Sequence, residues 1–155
     1  CDHNEEGDIG FILNKKTDQI LGDVVEIADG LTLPVFEGGP VEQQTLHFIH
    51  RRPDIITEGI EISTGIYWGG DFDVAIAALH NKEITDSQIR FFIGYSGWSS
   101  GQLQEEVEEK SWIITTPDVG ISFSLEAEQI WKRSMQQLGG EYAQMTNYPI
   151  DPQLN

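Results

Sequence analysis

The chain has 155 residues, 39% of them hydrophobic, a length and composition typical of one globular domain with a single core. Its 26 acidic and 9 basic side chains give a net charge of -17, so its electrostatic field repels polyanions and disfavours direct binding to DNA or RNA. The single cysteine, Cys1, excludes an internal disulfide framework, and no apolar run reaches membrane-spanning length, so we expect a cytoplasmic protein.

Strands and helices follow each other without regular alternation along the chain. Apolar runs and period-two patterns predict strands, in chain order, at residues 8–14, 33–41, 43–52, 60–70, 89–95 and 111–117. Helical spacing predicts helices at residues 21–30, 72–80, 99–110 and 125–138. Five or six strands with three or four helices predict an α+β fold, with a mixed, largely antiparallel sheet in one domain over residues 1–155.

Local signals set several of the expected boundaries. Asp23 and Asp71 are expected to cap the first two helices, and Ser124 precedes the last one. Ser99, with Gln102 three places on, reads as a capping box for the third helix. The tail, residues 141–155, is expected to be irregular and to pack back through three large side chains, Tyr142, Met145 and Tyr148.

The segment from Gly94 to Glu106 raises the question of catalysis. Residues 97–101 satisfy the G-x-S-x-G pattern of a serine nucleophile elbow, for which His47, His50 or His80 would have to supply the base. The expected order of strands and helices does not match the parallel sheet of such enzymes, and helix capping already explains Ser99. The sequence therefore predicts a tight strand-to-helix corner with a partly buried Trp98, and no catalytic residue.

Phosphate and metal sites are disfavoured on similar grounds. The glycines at 94, 97 and 101 match neither the dinucleotide-binding nor the P-loop spacing, and no lysine follows them. The four histidines show no metal-ligand spacing, and His47 and His50 point to opposite faces of a straight strand. We expect no metal and no cofactor.

Several blocks of sequence together resemble the YqgE/AlgH family. They are His3, Gly7, Gly10 and Leu13-Asn14; Gly38-Gly39-Pro40-Val41; residues 66–72; Gly94, Tyr95, Gly97, Trp98, Gly101, Gln102, Leu103 and Glu106; Trp112; and Asp151, Pro152 and Asn155. The resemblance implies a bacterial, functionally uncharacterised one-domain protein with a curved, barrel-like sheet. It also implies that an apolar strand normally precedes the His3 block, so we expect an N-terminal segment to be missing. Some members carry the label of transcriptional regulator, which identifies no DNA-binding element.

The resemblance and the expected corner place a candidate ligand site where three chain segments meet. Its members are His3, Asn14, Gly38, Gly39, Pro40, Tyr95, Trp98, Gln102 and Glu106. Gln102 and Glu106 share one helix face and are expected to clamp the corner or face a groove. The favoured function is a non-enzymatic binding or regulatory module for a protein or small ligand, indicated by a groove of Trp98, Tyr95 and Asn14 without convergent titratable groups.

Two other functions stay open at this point. An enzyme of unknown, possibly hydrolytic, reaction would place Glu106 or a histidine beside a nucleophile in a cleft, with a shifted pKa. A DNA-contacting regulator is the third hypothesis, and the acidic charge disfavours it.

Overall fold

A computed structural model describes residues 2–4 and 7–146, with side chains from Gly7 onward. In chain order the strands are β1 (Asp2–Asn4), β2 (Gly7–Gly10), β3 (Lys16–Ile20), β4 (Pro34–Glu37), β5 (Val41–His50), β6 (Ile60–Ser63), β7 (Ile66–Trp68) and β8 (Ile89–Ser99). The α-helices are α1 (Leu21–Val24), α2 (Phe72–His80), α3 (Gln102–Glu108), α4 (Val119–Ser122), α5 (Ile130–Leu138) and α6 (Gly140–Met145). Single 3₁₀ turns lie at Glu26–Ala28 and Ala127–Gln129.

The eight described strands form one mixed sheet, which confirms the predicted single-domain α+β class. Its main path runs β1-β2-β8-β5-β7-β6, and β4 joins β8 while also pairing with β3. Every pairing is antiparallel except that of β4 with β8. Over the described residues, the end strands β1 and β6 do not pair with each other, so the sheet is open rather than a closed barrel.

Strand β8 lies between β4 and β5, although these two follow each other directly in the chain. The three-residue link between them, Gly38-Gly39-Pro40, therefore crosses one face of β8. A Cβ on Gly38 would lie 2.3 Å from the carbonyl oxygen of Gly94, and one on Gly39 would lie 2.2 Å from the carbonyl carbon of Tyr95. Backbone packs directly on backbone here, which only glycine permits.

Gly94 also changes which side of the sheet the following residues face. Its φ is +69°, and β5 places Val41 opposite Tyr95 but Leu46 opposite Ile93, so several residues of β5 bulge out beside it. Beyond this bend the Tyr95 ring lies against His47, on the side of the sheet that carries Phe92. The regular alternation that governs β8 up to Ile93 would have placed Tyr95 on the opposite side.

Both faces of the sheet are buried. Neighbouring residues of one strand belong to different clusters, as Phe48 and Ile49 or Phe91 and Phe92 do. Helix α2 covers the Phe91 side, where its N-cap Asp71 accepts a 3.0 Å hydrogen bond from the amide of Val74, as predicted. The segments from Val119 to Ile130 cover the Phe92 side. This two-sided burial explains why the central strands are so apolar.

A buried arginine joins the sheet to the segments that cover its Phe92 side. Arg90 of β8 is 5% exposed and donates hydrogen bonds to the backbone carbonyls of Leu13, at 2.8 Å, and Ser124. Its guanidinium lies 4.5 Å from the ring centroid of Phe36. Burial lowers the pKa of Arg90 to about 10. Because this value is still well above 7, the guanidinium stays charged at neutral pH.

Several predicted elements and boundaries were wrong. Residues 111–117 form no strand, because no described strand pairs with them. Asp23 lies within α1 instead of capping it. The predicted last helix begins as a 3₁₀ turn with Glu126 at its N-cap position, where no side chain accepts a capping hydrogen bond. The described residues contain six α-helices instead of the three or four predicted, since several are only one turn long.

The tail also differs from expectation. Residues 140–145 form α6, in which Tyr142 and Met145 are exposed instead of packed back on the domain. Tyr148 lies outside the described residues. No described helix combines the length and the apolar character that crossing a lipid bilayer requires.

Candidate functional site

A groove opens at the free end of the β2–β8 pair. It has a volume of about 420 Å³, which is within the usual range for small-molecule sites. Three strands and the start of α3 line it, through Gly7, Asp8, Ile9, Val41, Tyr95, Gly97, Trp98, Ser99 and Gln102. Aspartate is the sole charged residue type among these lining residues, so no cation lines the groove.

The strand register explains the shape of the groove. Gly7 pairs with Ser99 and Ile9 with Gly97, so these four residues lie on one face of the two strands. A Cβ built on Gly97 would lie 3.2 Å from Cε2 of Tyr95 and 4.0 Å from Cγ2 of Val41. The floor is therefore formed largely by backbone, and the side chains of Tyr95 and Val41 form a wall over it.

Trp98 points into a hydrogen-bonded cluster built by α3. Its indole N–H donates to Oε2 of Glu106 at 3.1 Å, and the indole N–H of Trp112 donates to the same oxygen at 2.8 Å. Nε2 of Gln102 donates to the other carboxylate oxygen at 3.0 Å, and the two indole rings pack edge to face. These hydrogen bonds, those from Trp112 and Gln102 first, hold the pKa of Glu106 below its ordinary value, and partial burial opposes them.

The corner after β8 is closed by Gln102 rather than by Ser99. The backbone N–H of Ser99 donates to Oε1 of Gln102 at 3.0 Å, which is one half of the predicted capping box. The other half is absent, since the N-cap of α3 is Gly101 with φ +80° and no side-chain cap. The prediction of Ser99 as the cap was therefore wrong, while the expected clamp by Gln102 and Glu106 is present.

The structure brings together part of the predicted site. Tyr95, Trp98 and Gln102 line the groove, and Glu106 lies behind it in the Trp98 cluster. Gly38 and Gly39 are buried in the chain crossing over β8, where they shape the backbone beneath Tyr95.

The other predicted residues lie apart from the groove lining. Exposed Pro40 borders a separate cleft formed with Glu42 to Thr45, and exposed Asn14 follows β2 without lining the groove. His3 is in β1 opposite Asp8, but its side chain lies outside those described.

None of the described histidines forms a nucleophile–base pair. His50 accepts from the amide of Arg52 through Nδ1 and contacts the carbonyl of Gly69 through Nε2, so both ring nitrogens are used structurally. His80 contacts the carbonyl of Ile27. Within residues 7–146 the hydroxyl of Ser99 makes no hydrogen bond to a histidine, and no cluster of three His, Cys, Asp or Glu residues suited to a metal occurs in the described part.

Sequence reasoning missed the residues that form the floor. Gly7, Ile9, Val41 and Gly97 line the groove through backbone and small apolar surfaces, which leave no chemical signature in a sequence. A usable signal was present in the glycines themselves, because a glycine inside a strand often marks close approach of another group.

Comparison with known proteins gives the relatives of this chain. A sequence profile described as AlgH-like matches residues 1–143. A UPF0301 protein of Chlorobium phaeobacteroides is 43% identical over 155 residues, covering 100% of this chain and 83% of its own length. Its counterpart in Chlorobaculum tepidum is 41% identical with the same coverage.

Two solved structures share the fold. The solution structure of the AlgH protein from Pseudomonas aeruginosa superposes with a TM-score of 0.72 at 23% identity, covering 96% of this chain and 82% of that one. A crystal structure of a protein from Corynebacterium diphtheriae gives a TM-score of 0.70 at 17% identity, with coverages of 95% and 79%.

Proposed function

This chain belongs to the AlgH-like family, and the names of the relatives above state no reaction, so we propose its function from the groove itself. It is a non-enzymatic regulatory module of the cytosol that binds a small molecule in the groove over the β2–β8 floor, where Tyr95 lies. The groove, defined above by its nine lining residues, has the volume for such a ligand.

This proposal rests on one observation: the polar side chains of the corner form their hydrogen bonds with one another. The carboxylate of Glu106 accepts from three side chains, and Gln102 is bonded at both ends of its amide. The pKa of Glu106 is lowered, whereas a general base working near neutral pH needs a raised one. These groups are arranged to hold the corner in shape, which favours binding over proton transfer.

Direct DNA binding is not part of the proposal. Non-specific affinity for DNA comes from clustered cations on phosphates, and this chain has 9 basic against 26 acidic residues. We expect no change in the fluorescence anisotropy of a labelled DNA duplex when the protein is added at about 0.15 M salt. Saturable, salt-sensitive binding would contradict the proposal.

A thermal-shift screen against metabolites tests the binding function. A ligand of the native state raises the melting temperature as its concentration exceeds its dissociation constant. The variant Gly97→Val fills the floor and should abolish the shift of any ligand that uses the groove. The control is Thr64→Val, which replaces a hydroxyl by a methyl group at an exposed turn in the β6–β7 hairpin and should keep the shift.

A second variant separates binding from catalysis. Ser99→Ala removes the hydroxyl at the groove, and we expect a bound compound to stay chemically unchanged with both the wild type and this variant. If the wild type converts a bound compound and Ser99→Ala does not, the protein acts as a hydrolase and the proposal is overturned. Ligands that stabilise wild type and Gly97→Val equally would show that the groove is not the site.

A further inference from the structure

The glycine at 97 is not required by the backbone, unlike the glycine at 94. Gly94 has φ +69°, and a Cβ there would lie 2.7 Å from the carbonyl oxygen of Gly39 and 2.8 Å from that of Val41. The φ of Gly97 is outside the left-handed region, and its hypothetical Cβ would contact only side chains. The space above Gly97 is filled by the ring of Tyr95, and a ring on a side chain can move.

A histidine packs against the same ring. The ring centroids of His47 and Tyr95 are 5.6 Å apart with an interplanar angle of 82°. The rings of Phe11 and Trp68 surround the same histidine at centroid distances of 5.6 and 6.1 Å. Tyr95 thus contacts both the strand backbone at Gly97 and the group of aromatic residues around His47.

The imidazole of His47 has one nitrogen that the fold leaves unused. Its Nε2 is buried and has no hydrogen-bond partner within residues 7–146, the only side-chain nitrogen or oxygen there with that property. A buried polar atom without a partner is costly and rare, so each one calls for a physical explanation. Burial lowers the pKa of His47 while Glu42 opposes the shift, so the ring is neutral at pH 7 and can take either tautomer.

We infer that the ligand is a planar ring compound without negative charge, which displaces Tyr95 from above Gly97 and hydrogen-bonds to Nε2 of His47. This rests on the proposed function and specifies its ligand class. A flat ring fits because a flat ring already fills that space, in contact with Gly97 below and aromatic side chains beside it. A polar substituent fits because His47 offers an unused donor or acceptor.

The charge of the molecule sets the remaining property of the ligand. No cationic side chain occurs among the described residues that line the groove, and the chain carries a net charge of -17, so an anionic group on the ligand would meet repulsion without a counter-charge. The same acidic field attracts cations, and so do aromatic faces such as those around His47, so charge rules out anions alone. The ligand class is therefore planar, without negative charge and equipped with one hydrogen-bonding substituent.

Three small probes of nearly equal size test this class. Benzamide is planar and neutral, benzoate is planar but anionic, and cyclohexanecarboxamide is neutral but not planar. Their binding is measured by titration into isotope-labelled protein, following the amide resonance of Gly97 and the imidazole resonances of His47. We expect benzamide to perturb both sites and to bind about tenfold or more tightly than either of the other probes, a difference of roughly 1.4 kcal/mol or more.

Substitutions at histidines identify the recognising atom. His47→Phe keeps a ring but removes the nitrogen, and should weaken benzamide binding about tenfold. His47→Gln returns a hydrogen-bonding group and should recover part of the affinity. The control His80→Phe changes an exposed histidine in α2 and should bind benzamide as the wild type does.

The outcomes separate this inference from the proposed function. Equal binding of benzamide and cyclohexanecarboxamide, unchanged affinity in His47→Phe, or no binding of any probe up to its solubility overturns the inference. The proposed function survives those results if the metabolite screen yields a ligand whose thermal shift is lost in Gly97→Val. It fails if no such ligand exists.

Discussion

At the scale of single residues, Glu106 holds the corner through one carboxylate. Two indole N–H groups and one amide N–H converge on it, so its ionised form is favoured and its pKa lies below the ordinary value. Protonation would weaken all three hydrogen bonds at once. The state of this carboxylate should therefore be visible in the fluorescence of the two tryptophans.

We expect tryptophan emission to change as the pH is lowered through the depressed pKa of Glu106. Because that pKa is lowered, the hydrogen bonds are complete above the ordinary value of 4.5 and are lost only at more acidic pH. Glu106→Gln keeps an acceptor but cannot titrate, so its emission should lack this step. Glu108→Gln changes an exposed glutamate of the same helix and should retain it. An identical step in Glu106→Gln would show that another group is responsible.

The buried histidines make stability depend on pH in the neutral range. Burial lowers the pKa of both His47 and His50, so between the folded and unfolded pKa values the unfolded chain binds more protons. The free energy of unfolding should therefore fall as pH decreases below about 6.5 and show little dependence on these groups above it.

Chemical denaturation of His47→Phe across this pH range isolates one contribution. The slope of the unfolding free energy against pH should become smaller than in wild type but stay positive, because His50 continues to contribute. A slope in His47→Phe as steep as that of the wild type would contradict the burial of this imidazole.

Only part of the candidate site can be predicted from single residues. Tyr95, Trp98, Gln102 and Glu106 stand out because aromatic and polar residues beside glycines suggest a site, and the structure does place three of them in the groove. Asn14 and Pro40 looked equally suitable, but their distance from the groove depends on strand register and on the chain crossing, which sequence does not reveal.

At the scale of elements, β8 shows two glycines with different tasks. Gly94 allows the bend and the close crossing of the Gly38-Gly39 link, both of which a Cβ would prevent. Gly97 lies in ordinary extended backbone, where glycine is less stable than other residues by about 0.5–1 kcal/mol. The first glycine should therefore matter for folding, and the second for binding.

Equilibrium denaturation of Gly94→Ala and Gly97→Ala measures this difference. Gly94→Ala should lose about 3 kcal/mol or more, because a left-handed residue acquires a Cβ against two carbonyl oxygens. Gly97→Ala should stay within about 1 kcal/mol of the wild type, since Tyr95 can shift by a few tenths of an ångström. Similar losses in both variants would contradict the division of roles.

The segment 111–117 shows why a strand cannot be predicted from composition alone. Ile113, Ile114, Thr115 and Thr116 are β-branched and favour extended structure, yet no described strand pairs with them and Ile114 is 63% exposed. Strand propensity reports how well a side chain fits a paired, half-buried surface, so it needs a partner that only the fold can supply. In β5 and β8 that partner exists, and the predictions for those elements were confirmed.

At the scale of the whole molecule, charge is the property that sequence predicts most directly and structure changes least. An excess of acidic groups acts over the Debye length, about 8 Å at 0.15 M salt and about 30 Å at 0.01 M. The net charge of -17 lies on a single small domain, so most acidic groups feel one another at low ionic strength. Folding brings them closer than they are in the unfolded chain.

Lowering the salt concentration from about 0.15 M to about 0.01 M should therefore lower the melting temperature. A double variant, Glu108→Lys with Glu109→Lys, changes two exposed positions in α3 and the turn after it. It should reduce the fall in melting temperature, because it removes like charges without touching the core. Calorimetry of both proteins in the two salt concentrations measures the difference. A melting temperature that rises at low salt would mean that the few ion pairs, such as Lys15 with Glu37, outweigh the repulsion among the many acidic groups.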